Sequence, residues 1–558
     1  MMASAEGAVE DVVASLSTQE NQEPNPTNAS QKRNTTKLKK EKVKKKRTNV
    51  KKKRTNVKRM EQPRYTVHEG EDMLLVISST TSPDRSTTWV PKIKRKKGGE
   101  KKNVEKEETP PVIAAKPHDR RWGQNLPEEV LVNIFKMVVN EDGAVPFLCR
   151  VGRVCRLWNI AAATPILWRK VSVGHCWIAP GEHQNPERRR RIKNTFDWLT
   201  RSRFSQLRDF SLHHWTENVD YAVDVVSQFC SHLSSLTLSY CTGLTEAAFQ
   251  SLGLHGHSLR SLNLQYTKFQ EAGLLTYLND HGAQIQQIRF THRPKCDRLS
   301  FISRGCCPNL EMLEVNTKLD SQDNEVTVCI QALQRACPKL KTFRMLNVCP
   351  VFKNTNSSNG AESSPGFPLL EELCIATASY TYINDKQLRD VLFGSPRLRV
   401  LDLRGCSRIT SAGLEALPCL ELECLFWAQY FSSHMGTLSL NTGLHALTQK
   451  WSHTLRQLDV ANQPFSQEDV EAAMFHLAQA NHTDTLRSLN LSGTKITAGA
   501  LRLLIGQTSA LDYLNLSSCR DLPRGVKRIY RGQAEIRQLL EKLECSQTSV
   551  FDHNPFEK

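Results

Sequence analysis

Along most of the chain the apolar residues fall into one frame, Leu-x-x-Leu-x-Leu, which recurs twelve times. Its copies begin at Leu207, Leu233, Leu259, Ile285, Leu310, Leu340, Leu370, Leu398, Leu422, Leu455, Leu486 and Leu511. The last two apolar positions of each frame are two apart, the spacing that puts both side chains on one face of a short strand. An amphipathic stretch with helical spacing follows each copy, as in LSSLTLSYCTGLTEAAFQSL from Leu233 and LRVLDLRGCSRITSAGLEAL from Leu398. Eleven intervals cover 304 residues, a mean of about 28, with longer excursions of 30 to 33 in the middle. A strand and a helical return in each repeat of that length predict an α/β solenoid, with a curved parallel sheet inside and helices outside. The frame predicts leucine-rich repeats over 207–520. Gln533 to Leu543 then carries Ile536, Leu539, Leu540 and Leu543 on one helical face, so that 521–545 reads as a helical cap on the open end of the core.

Before the repeats the apolar spacing changes to that of a small helical module over 122–168. Pro127 opens its first helix, with Glu128 and Glu129 where the helix dipole favours anions. Leu131, Ile134, Phe135 and Val138 are expected on one face, and Asp142-Gly143 stops the run. A second helix is expected from about Phe147 to Trp158, and Thr164-Pro165 opens a short third one ending in Leu167-Trp168. Fewer than 50 residues cannot hide this much branched and aromatic surface, so part of it is expected to meet a partner. Residues 169–206 are read as a helical linker.

Residues 1–120 have neither pattern. They are poor in aromatics and hold a perfect tandem repeat, KKKRTNV at 44–50 and again at 51–57, which predicts a disordered basic tail. The chain has 558 residues and a net charge of +18. Residues 1–120 hold 28 Lys/Arg against 16 Asp/Glu, or +12, leaving 47 against 41, or +6, for the rest. Sixteen of the 28 residues from Lys32 to Arg59 are basic, and KIKRKK follows at 92–97. Three readings stand for these runs: capture by an import receptor, a grip on nucleic-acid phosphates, or a solvated solubility tail. Import is favoured, since no aromatic interleaves either run to stack on a base. The expected location is nucleus and cytoplasm, with the nucleus favoured.

Candidate chemistry adds little. All 17 cysteines lie between Cys149 and Cys545, no C-x-x-C pair occurs, and phosphate-loop, zinc-hydrolase and activated-serine motifs are absent. No metal or cofactor is expected, and the cysteines are read as buried repeat-core residues rather than nucleophiles. No apolar run passes five residues, Met73 to Ile77 being one such, and the N-terminus MMASAEGAVED has no basic-then-apolar signal, so no membrane partner is expected.

Two stretches carry a family resemblance. LPEEVLVNIF, followed by RVCRLWNIAAATPILW, is similar to the F-box pattern of Leu-Pro-x-Glu-x-Leu, Ile-Phe, Val-Cys-x-x-Trp and Leu-Trp. The loop EDGAVPF departs from it by lacking a Leu-rich continuation. Together with repeats whose Cys241, Cys406 and Cys519 follow the strand, residues 122 to about 540 resemble the F-box and leucine-rich-repeat protein family. The resemblance implies that Leu126, Pro127, Ile134, Phe135, Val154, Cys155, Trp158, Leu167 and Trp168 dock the Skp adaptor of cullin-RING ubiquitin ligases or support that face. It also implies a non-catalytic adaptor of an SCF ubiquitin ligase, bound to the Skp adaptor and cullin scaffold, that holds a protein substrate on its repeats for ubiquitination and proteasomal degradation. The alternative is a nuclear scaffold or ribonucleoprotein-associated protein.

Strand alternation nominates the substrate face. The residue between the two strand leucines points outward, giving the row Ser211, Thr237, Asn263, Arg289, Glu314, Arg344, Cys374, Asp402, Phe426, Asp459, Asn490 and Asn515. Within and beside it Arg289, Met312, Arg344, Leu346, Arg404 and Phe426 are the expected substrate-binding residues, because large apolar and Arg side chains there have the composition of binding hot spots. The competing expectation is that they cover one another, or that the excursion 349–368 packs over them.

Overall fold

The computed structural model describes residues 65–69, 74–78, 126–174, 186–293, 298–318, 324–353, 366–377, 381, 383–429, 442–480 and 485–551. Most of the span read as a disordered basic tail, including 32–59 and 92–97, lies outside the described residues. Among its described residues β1 (Tyr65–Glu69) pairs antiparallel with β2 (Leu74–Ser78). The β-branched and aliphatic run LLVIS suits a strand.

Three helices form the first module: α1 (Glu128–Asp142), α2 (Phe147–Val151) and α3 (Arg156–Ala163), followed by a 3-10 turn at Pro165–Trp168. Pro127 caps α1, its carbonyl accepting from Val130 and Leu131 N–H at 3.1 and 3.2 Å, and Gly143 ends it at φ 86°. The single helix expected over 147–158 is two. Gly152, a poor helix former, terminates α2, and Cys155 is extended at φ −158° before α3 begins.

The linker over 169–206 is not only helical. It opens with a strand, β3 (Lys170–Val173), before the 18-residue helix α4 (Pro186–Arg203). From there each of the twelve frames carries one strand of a parallel sheet: β4 (Asp209–His213), β5 (Ser235–Ser239), β6 (Ser261–Leu264), β7 (Gln287–Thr291), β8 (Met312–Asn316), β10 (Thr342–Leu346), β12 (Glu372–Cys374), β13 (Val400–Asp402), β14 (Cys424–Phe426), β15 (Gln457–Asp459), β16 (Ser488–Asn490) and β17 (Tyr513–Asn515). β3 extends this sheet at its start, in parallel register with β4. At its end β18 (Ile529–Arg531) pairs antiparallel with β17, ahead of the last helix, Gln533–Phe551. After β10 the excursion contributes β11 (Cys349–Phe352), which pairs in a separate two-stranded sheet with β9 (Glu325–Val328) from before β10, while 354–365 lies outside the described residues.

Leucine alternation produces the core directly. In β5, Leu236 and Leu238 are buried while Ser235, Thr237 and Ser239 are not, and β4 and β10 repeat the pattern. Each buried leucine contributes about 1.5–3 kcal/mol, enough in repetition to hold a solenoid whose repeats touch only their neighbours. The inward cysteines add a polar stitch, since the Cys241, Cys406 and Cys519 thiols donate to the carbonyls of Leu212, Ile375 and Leu491 one repeat earlier, at 3.5, 3.2 and 3.1 Å. One continuous apolar core runs from Leu131 and Phe135 of α1 to Leu543 of the last helix, so the first module and the solenoid are packed as one body.

Candidate docking surfaces

Helix α1 divides the residues that the sequence grouped on one face. Leu131 and Phe135 point into the core, and Phe135 meets Phe147 and Trp158 edge-on at ring separations of 5.5 and 5.4 Å. Ile134 points the other way. With Val130 and Met137 it forms an exposed stripe at i, i+4 and i+7, Val130 and Ile134 being 41% and 39% exposed and Met137 71%. Val154, Ile160 and Ile166 are exposed as well. Six of the fifteen large apolar side chains exposed among the described residues therefore lie between 130 and 166, a density that single scattered surface residues do not reach.

The nine residues nominated in this module separate by environment. Pro127, Ile134 and Val154 are exposed; Leu126, Cys155 and Trp158 are half-buried; Phe135, Leu167 and Trp168 are core. Trp168 donates its indole N–H to the Ala162 carbonyl at 2.8 Å, which ties the 3-10 turn to α3. Phe135, Leu167 and Trp168 can only support a docking face. Val130, Met137, Ile160 and Ile166 were missed, although the stripe was readable as a second helical spacing, 130-134-137, beside the inward one.

On the sheet, strand pairing aligns Ser211, Thr237, Asn263, Arg289, Glu314, Arg344, Cys374, Asp402, Phe426, Asp459, Asn490 and Asn515 in one row. The six nominated side chains are all half-buried on or beside it. Their cations are matched by acids. Arg344 forms a two-pronged pair with Glu372 at 2.7 and 3.0 Å and reaches Glu314 at 3.5 Å. The nearly buried Glu314 also lies 3.7 Å from Arg289 and accepts from Gln265. Arg289 donates to the Met312 sulfur at 3.1 Å. Further along, Arg404 clasps Asp402 at 2.9 and 2.6 Å and lies over the Phe426 ring at 5.4 Å. The expectation that these residues cover one another is met in this part of the row: it is an ion ladder rather than a set of bare cations.

Other members of the row serve the backbone. The side chains of Asn263, Asp402, Asp459, Asn490 and Asn515 each accept from the N–H two residues on, at 3.0–3.2 Å, fixing the turn that leaves each strand. At the rim, His214, Tyr240 and Tyr266 occupy one position in three repeats, with φ of 60°, 57° and 58°. Their rings stack at 4.6 Å in both steps, a ladder that offsets the cost of left-handed backbone at bulky residues. The 26-residue spacing was the available signal for it.

The first module and the repeats each match a known family. The F-box-like family model matches residues 124–173, and a leucine-rich-repeat model matches 394–417. In both modules the chain is similar to F-box and leucine-rich-repeat proteins. Among its relatives, bovine F-box/LRR-repeat protein 4 is 25% identical over 251 residues, covering 41% of this chain and 34% of that one. Putative F-box/LRR-repeat protein 22 of Arabidopsis thaliana is 21% identical over 358 residues, covering 62% and 82%. Zebrafish (Danio rerio) F-box/LRR-repeat protein 5 is 24% identical over 34% of this chain and 27% of that one. The chain thus spans only about a third of the bovine relative's length. The crystal structure of a Rad7 and Elc1 complex in yeast aligns with 75% of this chain and 85% of that one, at TM-score 0.39 and 16% identity.

The F-box of this chain and its repeats hold no group of three or more His, Cys, Asp or Glu arranged for a metal among the described residues, and no described helix is long and apolar enough to cross a membrane. Burial pushes the thiols of Cys149 and Cys241 up to about 11 and those of Cys230 and Cys337 to about 12, which keeps them protonated and poor nucleophiles. Cys306 moves the other way, because the adjacent Cys307 thiol, 3.6 Å off, hydrogen-bonds to it.

Proposed function

We propose that this chain is a non-catalytic, substrate-recognition subunit of a Skp-cullin-F-box ubiquitin ligase. The observation that carries the reading is the exposed Val130-Ile134-Met137 stripe on a module matching the F-box model. An apolar stripe of this kind is stabilised by docking, and the Skp adaptor is the partner the F-box resemblance implies. Phe135, Leu167 and Trp168 hold the stripe in place from behind.

The route from adaptor to substrate is mechanical. β3 leaves the F-box and enters the same sheet as the twelve repeat strands, so the two faces keep a fixed relation. A substrate held on the row between Arg289 and Phe426 is then presented to the ubiquitin carrier at high effective concentration, which is the whole rate benefit such a subunit supplies. Met312, Leu346 and Phe426 provide apolar contact, while the ion ladder exchanges partners with a charged substrate. Basic runs 32–59 and 92–97 deliver the chain to the nucleus through an import receptor, and deletion of both is expected to shift a fluorescent fusion to the cytoplasm. The test of the main reading is purification from cells: the Skp adaptor and a cullin are expected with the intact chain. Their absence under conditions that retain them on another F-box protein would overturn it.

A further inference from the structure

Helix α4 carries charge that neither surface uses. Its sequence, PERRRRIKNTFDWLTRSR, holds seven Lys/Arg against two Asp/Glu, or +5 in 18 residues. Ile192, Phe196, Leu199 and Thr200 are turned into the core. The opposite side presents Arg190, Lys193, Asn194, Trp198 and Arg201 at helical spacing. Pairs with acids exist, Arg191 with Glu187 and Arg201 with Asp197 at 3.1 Å and Arg189 with Glu217 at 2.8 Å. They are partly to largely exposed, and such pairs contribute little and yield readily to a stronger anion.

Aromatic rings accompany these cations. The Lys193 ammonium lies 4.7 Å from the Tyr221 ring, the Arg201 guanidinium 4.3 Å from Phe229, and the Arg203 guanidinium 5.3 Å from Trp198. Tyr221 and Phe229 belong to the neighbouring helix α5 (Val219–Phe229), and Trp198 is 48% exposed. Cations on flat, accessible rings suit an anion that also carries π-faces. A purely acidic peptide would use the charge and leave Trp198 wet.

We propose that the outer face of α4, with the adjoining edge of α5, binds single-stranded nucleic acid. Arg190 and Lys193 take phosphates, and bases stack on Trp198 and Phe229 and on the guanidinium planes of Arg201 and Arg203. A duplex is excluded as the preferred ligand because its bases are already stacked on one another and hidden from a convex helix face. The adaptor reading is independent of this surface.

The test is fluorescence anisotropy of a labelled 20-nucleotide oligouridine RNA with the full-length chain at several salt concentrations. Three variants are measured beside it: Trp198→Ala, Trp198→Phe, and Arg190→Glu with Lys193→Glu. Trp198→Ala is expected to weaken binding about tenfold, within the range for one stacked base, and Trp198→Phe to restore most of it. The double reversal is expected to weaken binding at least as much and to flatten the salt slope by about 0.7 for each phosphate that is no longer neutralised. It lies on the solvent face, so it reports even where Trp198→Ala fails to fold. Unchanged affinity in these variants, with binding lost only when the Lys and Arg of 32–59 are replaced by Gln, would overturn the proposal in favour of the tail. Loss in the double reversal alone, with equal displacement of the RNA by polyglutamate of matched charge, would overturn it in favour of an acidic protein partner.

Discussion

The F-box and the concave sheet satisfy their exposed groups in opposite ways. On α1 the stripe Val130-Ile134-Met137 is exposed among the described residues, apolar surface that a docking partner would remove from water. On the sheet, Glu314 stands between Arg289 and Arg344, Arg344 is clasped by Glu372, and Arg404 by Asp402. The first surface gains by area removed from water and tolerates one partner shape. The second gains only when a ligand replaces pairs already made, which favours selectivity over raw affinity. On the proposed reading, one end of the molecule serves constant attachment and the other discrimination.

Substitutions separate the two surfaces, and the largest effect is expected behind the stripe. Phe135→Ala removes a buried ring that meets Phe147 and Trp158, and should cost about 3–5 kcal/mol, read as early protease cleavage within 126–168 and a lowered denaturant midpoint. If stability were unchanged, α1 would not be packed as described. Glu314→Gln should be next, at about 1–3 kcal/mol, because it leaves two half-buried guanidinium groups short of a carboxylate; urea unfolding measures it. A loss no larger than that of an exposed pair would mean that the ladder is surface decoration.

Asp459→Asn is the smallest. Burial raises the Asp459 carboxyl above its usual range, so in the native chain its ionised form is disfavoured. Below the unfolded pKa of 3.8 the group is neutral in both states and costs nothing; as pH rises through the raised native value the unfolded chain binds fewer protons, and stability is lost. Asparagine fills the corresponding turn position at Asn490 and Asn515. The variant should therefore be slightly more stable than wild type at pH 7, with the gain vanishing as pH falls through the raised native value towards 3.8. Thermal melts at the two pH values check it, and a gain that grew on acidification would reverse the assignment.

The repeat strands were legible because a period of two in leucine survives any loop length: all twelve frames hold a strand, and the outward row lies in one register. β3 escaped notice because KVSV has no second leucine frame to announce it. Ile134 and Phe135 are both apolar, so composition could not tell the core side of α1 from its outer side; only packing against Phe147 and Trp158 does. The ion ladder was hidden for a different reason. Glu314 was in the row and Glu372 beside it, yet their pairing with Arg344 depends on register across strands about 30 residues apart in sequence. The Arg-rich opening of α4 was plain in the sequence and was passed over because the tail dominates the net charge.

The proposed function places attachment on α1 and discrimination on the sheet, two separate faces that share one apolar core. The most direct measurement is the affinity of the purified chain for the purified Skp adaptor, taken for wild type, for Ile134→Glu with Met137→Glu, and for Met312→Ala with Phe426→Ala. Loss of a central apolar anchor typically costs about 2 kcal/mol or more, so the α1 pair should weaken adaptor binding by a hundredfold or more with unchanged circular dichroism. The sheet pair should leave it at the wild-type value. Wild-type adaptor affinity in the α1 pair, or a comparable loss in the sheet pair, would contradict the account.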